Sequence, residues 1–294
     1  METLRSIQNQ TYADFQCLIT DDRSTDNTKE IVERFCKTDE RFKYRLKPKS
    51  YPSGLSATRN FGLDLAQELN ADFIQLFDDD DIMHPLKLEL QLMPLLQKDE
   101  LDMTLCAYRK FKDKEIIQFD LDKANDNSCN VRTNDLLKSF YLNKLSLNSC
   151  GPIWRFKTIR KYRFHEDLFY DEERNFYLRI LVHEKIQYKP VDEILFWYRK
   201  HPLGITSNLY GDKGNQIKKE SLRLSHLHFF REVLSLRNPP FYLLKSFSKK
   251  AMRNNDVEQI QLLKEHLLKT LWAYDLRKWI LLLLISGYRI IIYK

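Results

Sequence analysis

Glycine is scarce in this chain, with seven among 294 residues. No low-complexity segment and no internal repeat occurs, which excludes a repeat array. Cysteine is also sparse. Cys17, Cys36, Cys106, Cys129 and Cys150 are odd in number, widely spaced and form no C-x-x-C. That argues against a disulfide framework or a zinc site and fits a reducing cytoplasm, with the thiols acting as small buried apolar groups. The N-terminus shows no secretory signal pattern. Long apolar runs are missing too. The longest, Trp279 to Tyr293, has 15 residues and is interrupted by Arg289. As a helix it reaches roughly 22 Å, short of a ~30 Å hydrocarbon core. Its aromatic ends, with Arg277, Lys278 and Lys294 nearby, suit a helix over 276–293 lying on an anionic membrane surface. The competing expectation is a helix packed on its own body.

What is present is enough apolar content for a sizeable core, 43%, and enough charge for a soluble body, 30%. The length allows one large domain with an appendage, or two domains. The net charge of +7 is unevenly spread. Residues 1–200 hold 32 Lys+Arg against 34 Asp+Glu, and residues 201–294 hold 16 against 7. A basic region seeks nucleic acid or an anionic membrane. Nucleic acid is disfavoured, because aromatic and basic residues do not interleave on an identifiable face.

The first hundred residues alternate. Helical spacing covers Met1–Asn9, Asn27–Phe35, Ser56–Leu69 and 86–97, the last entered through Pro85. Strand patterns cover Phe15–Thr20, Phe42–Leu46 and 72–77. This order predicts an α/β fold with a mostly parallel sheet flanked by helices. Further strands are expected at Asp102–Tyr108, Glu115–Phe119 and Ile194–Tyr198, a loop at Lys123–Arg132, and an amphipathic helix at Asp171–Val182. After Gly214 the pattern is helical throughout, with the boundary expected between Gly204 and Gly214.

Five segments bear chemistry. Asp78 to Asp81 are four consecutive aspartates directly after the apolar strand 72–77. Ligand sites of open α/β sheets lie at the carboxyl ends of strands. Four carboxylates at one strand tip are easiest to hold around a divalent metal, although a solvated acidic turn is the plain alternative. On extended backbone Asp78 and Asp80 point the same way and could share that metal. Asp21-Asp22-Arg23-Ser24-Thr25-Asp26-Asn27-Thr28 is a strand-to-helix turn suited to a nucleotide base or ribose, or to helix capping. A calcium loop is disfavoured there, because Asn27 stands where that template needs Gly. Gly54 to Gly62 contains Arg59, whose guanidinium could meet a phosphate bidentately. Glu172 and Glu173 open a helix, and Arg199 and His201 follow a strand.

The order and spacing of these segments over Met1–Ser207 resemble family 2 glycosyltransferases, inverting enzymes of GT-A fold that use nucleotide sugars. The resemblance implies a Rossmann-like catalytic domain over 1–207 and a helical region over 208–294. It implies donor contacts from Asp22, Arg59, Asn60, Asp79 and His201. Asp78 and Asp80 match the D-x-D metal site for magnesium or manganese, and Glu173, next to Glu172, falls at the catalytic base. The implied reaction moves a sugar from a nucleoside diphosphate, UDP first, to a saccharide or lipid-linked saccharide. Its setting would be bacterial cell-surface polysaccharide synthesis, on the inner face of the membrane.

Two departures qualify the match. The family has Asp where this chain has Glu173, and Glu166-Asp167 is set aside because Phe164 and Leu168 fit the family's lead-in. The family also opens with a strand and a P-x-Y/F-N loop that are absent here. A truncated or mis-started chain is therefore expected, or a degenerate paralogue. The alternative function is accordingly an inactive, membrane-attached binding or assembly subunit. A nucleotidyltransferase is weaker, since it leaves Glu172 and Glu173 idle.

Overall fold

The computed structural model describes residues 1–112, 115–123, 129–200, 212–270 and 275–292. It divides into Met1–Ser225 and His226–Lys294, the division falling inside a long helix. The expected boundary at Gly204–Gly214 lies mostly outside the described residues.

The first unit begins with helix α1 (Glu2–Gln8), strand β1 (Cys17–Asp21), helix α2 (Thr28–Cys36) and strand β2 (Phe42–Leu46). The βαβ crossover makes β1 and β2 parallel, with Cys17 opposite Phe42 and Asp21 opposite Leu46. Helix α3 (Leu55–Glu68) leads to β3 (Phe73–Ile74), β4 (Ile82–Met83) and α4 (Lys87–Gln97). Next come β5 (Met103–Lys112), α5 (Leu136–Tyr141), β6 (Pro152–Arg155) and α6 (Phe156–Ile159). Helix α7 (Glu172–His183) and strand β7 (Tyr188–Lys200) complete the unit, apart from the start of α8 (Asp212–Ser235).

A five-stranded sheet runs in the order β3-β6-β5-β7-β4. Only β5 and β7 are parallel within it; β3–β6, β5–β6 and β4–β7 are antiparallel. The expected mostly parallel sheet is thus a mixed one. Parallel pairing follows from crossovers such as β1-α2-β2, whereas β4 and β6 are short returns without that signature. Among the described residues β1 pairs only with β2, and β3 only with β6, so these neighbours of α3 sit in separate sheets.

The core lies between this sheet and its helices. Leu95, Met103, Leu105, Leu195 and Phe196 are fully buried. Helix α7 turns Phe176, Tyr177 and Ile180 inward. Phe176 stacks on Phe164 with ring centroids 4.0 Å apart, and Tyr177 stacks on Trp154 of β6 at 5.8 Å. Glu115–Phe119 is not a strand. Ile116 points to solvent, and Phe119 packs edge-on against His84 and Trp197.

The second unit contains the rest of α8, then α9 (Phe241–Arg253), α10 (Val257–Thr270) and α11 (Leu276–Ile292). Phe230, Val233, Leu243, Phe247, Leu263, Leu267 and Ile285 fill its interior.

Candidate active site

The site is built where chain segments turn at the ends of β1, β3 and β7 and at the start of α7. Asp21 ends β1. Its Oδ1 accepts from Ser24 N (2.8 Å) and Ser24 Oγ (2.6 Å), and its Oδ2 accepts from Tyr44 OH (2.6 Å). Asp26 Oδ1 accepts from Thr28 N and so caps the first turn of α2.

Asp22 faces the other way. Lys47 Nζ lies 2.7 Å from its Oδ1, while Gly54 N (2.6 Å) and Ser53 Oγ (3.1 Å) donate to its Oδ2. Burial opposes the Asp22 charge, but bonds from Lys47, Gly54 and Ser53 outweigh it and hold the carboxyl below its usual range. Lys47 is wholly buried and donates to Thr58 Oγ1 (2.9 Å) as well. It bridges the end of β2 to the first turn of α3. No local pattern marks it beyond a lysine that follows an alternating strand.

Arg59, on the inward face of α3, is the hub. Its Nη2 lies 3.0 Å from Asp78 Oδ1, and its Nη1 lies 3.0 Å from Glu172 Oε1. Glu173 Oε1 is 4.0 Å away, and the guanidinium lies over the Phe164 ring. Burial works against the charge of Arg59, but Asp78, Glu173 and Glu172 more than restore it. Asn60, one step along the helix, is turned elsewhere. It donates to Phe164 O and Glu166 Oε1 and accepts from Phe164 N (2.7 Å). It pins the segment before α7, and Glu166 is spent on that anchor.

The aspartate run is a turn, not an extended stretch. Asp79 and Asp80 occupy its corner, and Asp81 N approaches Asp78 O at 3.5 Å. In a turn the first and fourth residues approach each other. The donor atoms of Asp78, Asp81 and Cys150 accordingly lie within 4.8 Å of one another, a grouping that omits Asp80. This corrects the expectation that Asp78 and Asp80 align by strand alternation. The backbone oxygens of Asp79 and Asp80 accept from Thr3 Oγ1 (2.7 Å) and Arg199 Nε (2.6 Å). Asp81 is fully buried. Its Oδ1 accepts from Arg199 N (2.8 Å), and its Oδ2 has no partner. Burial pushes its pKa up to about 7, with Asp78 and Asp80 adding to the effect.

Helix α7 starts at Glu172 after Asp171, which holds a left-handed conformation (φ 67°). Ser225 Oγ donates to Asp171 Oδ2 (2.6 Å), which helps fix that start. Glu173 Oε1 accepts from Ser149 N. Burial raises the Glu173 pKa, with Arg59 opposing and Asp78 reinforcing. Asp78 N donates to Cys150 Sγ (3.3 Å), so residues 149–150 hold both acidic elements. No local pattern marks Ser149, and Cys150 reads from sequence only as a buried thiol. His201 lies outside the described residues.

Three carboxylates around one buried arginine, beside a strand-tip turn with an unpartnered carboxylate oxygen, can bind a cation and accept a proton. A Campylobacter jejuni GalNAc(5)-diNAcBac-PP-undecaprenol beta-1,3-glucosyltransferase is 39% identical over 80 residues, 27% of this chain and 25% of that protein. EpsH of Bacillus subtilis, named as a glycosyltransferase, is 28% identical over 207 residues, 67% of this chain and 56% of its own length. The chain therefore spans well under two thirds of these relatives. The crystal structure of Staphylococcus aureus TarS 1–349, solved with UDP, superposes with a TM-score of 0.59 at 16% identity. That match covers 98% of this chain and 82% of TarS, and it establishes the shared GT-A fold. A family model, Glycosyl transferase family 2, matches residues 1–173. On that match, over more than half its length, the chain belongs to glycosyl transferase family 2.

Proposed function

We propose that this glycosyltransferase moves a sugar from a nucleoside-diphosphate donor, UDP being the nucleotide, to a hydroxyl, with inversion. The observation behind this reading is the convergence of Asp78, Glu172 and Glu173 on Arg59. It sets a base on one element and a diphosphate-binding turn on another within reach of one reacting centre. Two relatives' names support a lipid-linked acceptor. One is the Campylobacter enzyme. The other is Escherichia coli WfgD, a UDP-Glc:alpha-D-GlcNAc-diphosphoundecaprenol beta-1,3-glucosyltransferase, 36% identical over 97 residues. We accordingly assign the chain to polysaccharide synthesis at the cytoplasmic membrane face.

Glu173 takes the proton of the acceptor hydroxyl as that oxygen attacks the anomeric carbon, and the bond from that carbon to the diphosphate oxygen breaks, its electron pair leaving with the nucleoside diphosphate. Ser149 N–H occupies Oε1, which leaves Oε2 as the proton acceptor. A carboxylate whose pKa is raised by burial is a better base than a solvated one. Arg59 pairs with Glu172 and Asp78 and adds positive charge near the leaving group. Asp22, with Lys47, Ser53 and Gly54 bound to it, shapes the wall against which the nucleotide lies. A divalent metal, magnesium or manganese, fits the acidic turn. Two of the three converging donors are hard carboxylate oxygens, from Asp78 and Asp81, beside the sulfur of Cys150, and the buried Asp81 Oδ2 lacks a hydrogen-bond partner. Asp78 and Asp81 would hold it, and when bound it would supply charge neutralisation to the diphosphate.

Glu173→Gln tests the assignment. Loss of a general base costs about 10² to 10⁴ in rate. Transfer from UDP-sugars should fall by that much, while UDP affinity measured by calorimetry stays within about threefold. Retained turnover would remove Glu173 from the base role. Product NMR should show the inverted anomer.

A further inference from the structure

Helix α11 packs only one side of itself. Leu281, Leu282 and Ile285 are buried in the second unit. On other faces Leu276 is 71% exposed, Leu283 68% and Leu284 58%, and Trp279 and Ile280 are also exposed. The positions 276, 279–280 and 283–284 repeat at helical spacing and form one continuous stripe. A helix on a solvated body turns charged or polar residues outward. Here the outward residues are leucine, isoleucine and tryptophan. Lys278, a residue that could have relieved the stripe, is instead drawn inward and donates to Thr270 O. Arg277 is an exposed cation at its edge, with Asp275 Oδ1 3.6 Å from its Nε, and its guanidinium lies over the Phe241 ring.

We infer that this stripe is a membrane-docking face and that its occupant is the surface of an anionic lipid bilayer. Charge supports that choice over a second copy of the chain. Residues 226–294 hold 12 Lys+Arg against 5 Asp+Glu, whereas residues 1–225 hold 36 of each. The whole net charge of +7 therefore belongs to the unit that displays the stripe. Two copies meeting through such units repel, while an anionic surface attracts them. Length supports it as well. A helix of 17 residues measures about 26 Å at ~1.5 Å per residue. Among the described residues, no helix is long and apolar enough to cross a membrane. The apolar stripe over 276–284, about 14 Å of that helix, lies in the plane of the interface, with its leucines among the upper acyl carbons and Trp279 and Arg277 at headgroup level. The inference rests on the proposed function only for why the enzyme would sit there, because it would bring the site to a lipid-linked acceptor.

Sedimentation of the full chain with vesicles tests it without any transfer reaction. Wild type should bind vesicles of phosphatidylcholine mixed with phosphatidylglycerol more tightly than phosphatidylcholine alone. Leu283→Glu/Leu284→Glu should weaken that binding at least about tenfold, and Leu283→Ala/Leu284→Ala by several-fold, at unchanged UDP affinity. Both positions are exposed, so folding is retained. Wild type that stays in the supernatant with anionic vesicles overturns the inference, as does a glutamate variant that binds undiminished. Light scattering that finds a dimer dissolved by the glutamate pair would give the face to a second copy instead. A vesicle result of either kind leaves the Glu173 assignment intact, so the two readings fail separately.

Discussion

At Asp81 the chain buries a carboxyl group whose Oδ2 meets no donor, among two further aspartates. Such a group ionises reluctantly, which is why its pKa rises to about 7. The consequence for stability has a definite sign. Between the unfolded value of 3.8 and about 7, the folded chain holds more protons than the unfolded chain. Stability contributed by protonated Asp81 is complete below the unfolded value and is lost as pH rises through that window. Asp81→Asn removes the loss. In EDTA the variant should gain roughly 2–4 kcal/mol near pH 7.5, an upper range set by about 1.4 kcal/mol per pKa unit, and little near pH 4. Urea denaturation at both pH values measures this, and equal pH slopes in the two proteins would refute it. Added magnesium or manganese should narrow the gap, because a bound cation stabilises only the wild-type turn.

The elements show which parts of this site a sequence can announce. Helices α2, α3, α4 and α7 start and end within one residue of the spans that apolar spacing predicts, since each buries one face. The site is written less plainly. Alternation along 78–81 presumes extended backbone, and the chain turns there instead, pairing Asp78 with Asp81. Strand β6, four residues beginning at Pro152, has no alternation of its own and exists because β3 and β5 flank it. Lys47 and Ser149 act on Asp22 and Glu173, partners 25 and 24 residues away. No local pattern encodes such meetings.

Gly54 was visible in sequence, and its backbone explains why. Its φ of 124° with ψ of 161° is a conformation open essentially to glycine, and its N–H donates to Asp22. A Cβ there meets nothing within 4 Å, so the cost of Gly54→Ala is backbone strain alone, about 1–3 kcal/mol. Gly62 sits inside α3, and a Cβ would touch Thr20 Cγ2 at an ordinary 3.8 Å. Gly62→Ala should therefore be neutral or stabilising by up to about 1 kcal/mol. Thermal unfolding of the pair reads both. Gly54→Ala should also weaken UDP binding, because strain there shifts the donor on Asp22. Equal behaviour of the two variants would mean that the turn relaxes and that its geometry is not needed.

Across the whole molecule, charge and chemistry are segregated. The unit that holds Arg59 and the carboxylates is neutral overall, and the unit ending in α11 holds the net +7. A neutral body does not impede an anionic nucleotide sugar, while a basic one is drawn to anionic lipid. The two attractions at the membrane differ in their response to salt. Coulombic attraction is screened as the Debye length falls from about 10 Å at 0.1 M to about 3 Å at 1 M, whereas burial of leucine is not. Binding to phosphatidylglycerol-containing vesicles should thus fall roughly tenfold over that range and then level off above zero. In Leu283→Glu/Leu284→Glu the residual high-salt binding should vanish, because only the electrostatic part remains. A wild-type curve that falls to zero at high salt would show that the stripe does not enter the bilayer. The +7 unit would then be merely adsorbed, and the exposed leucines of α11 would need another occupant.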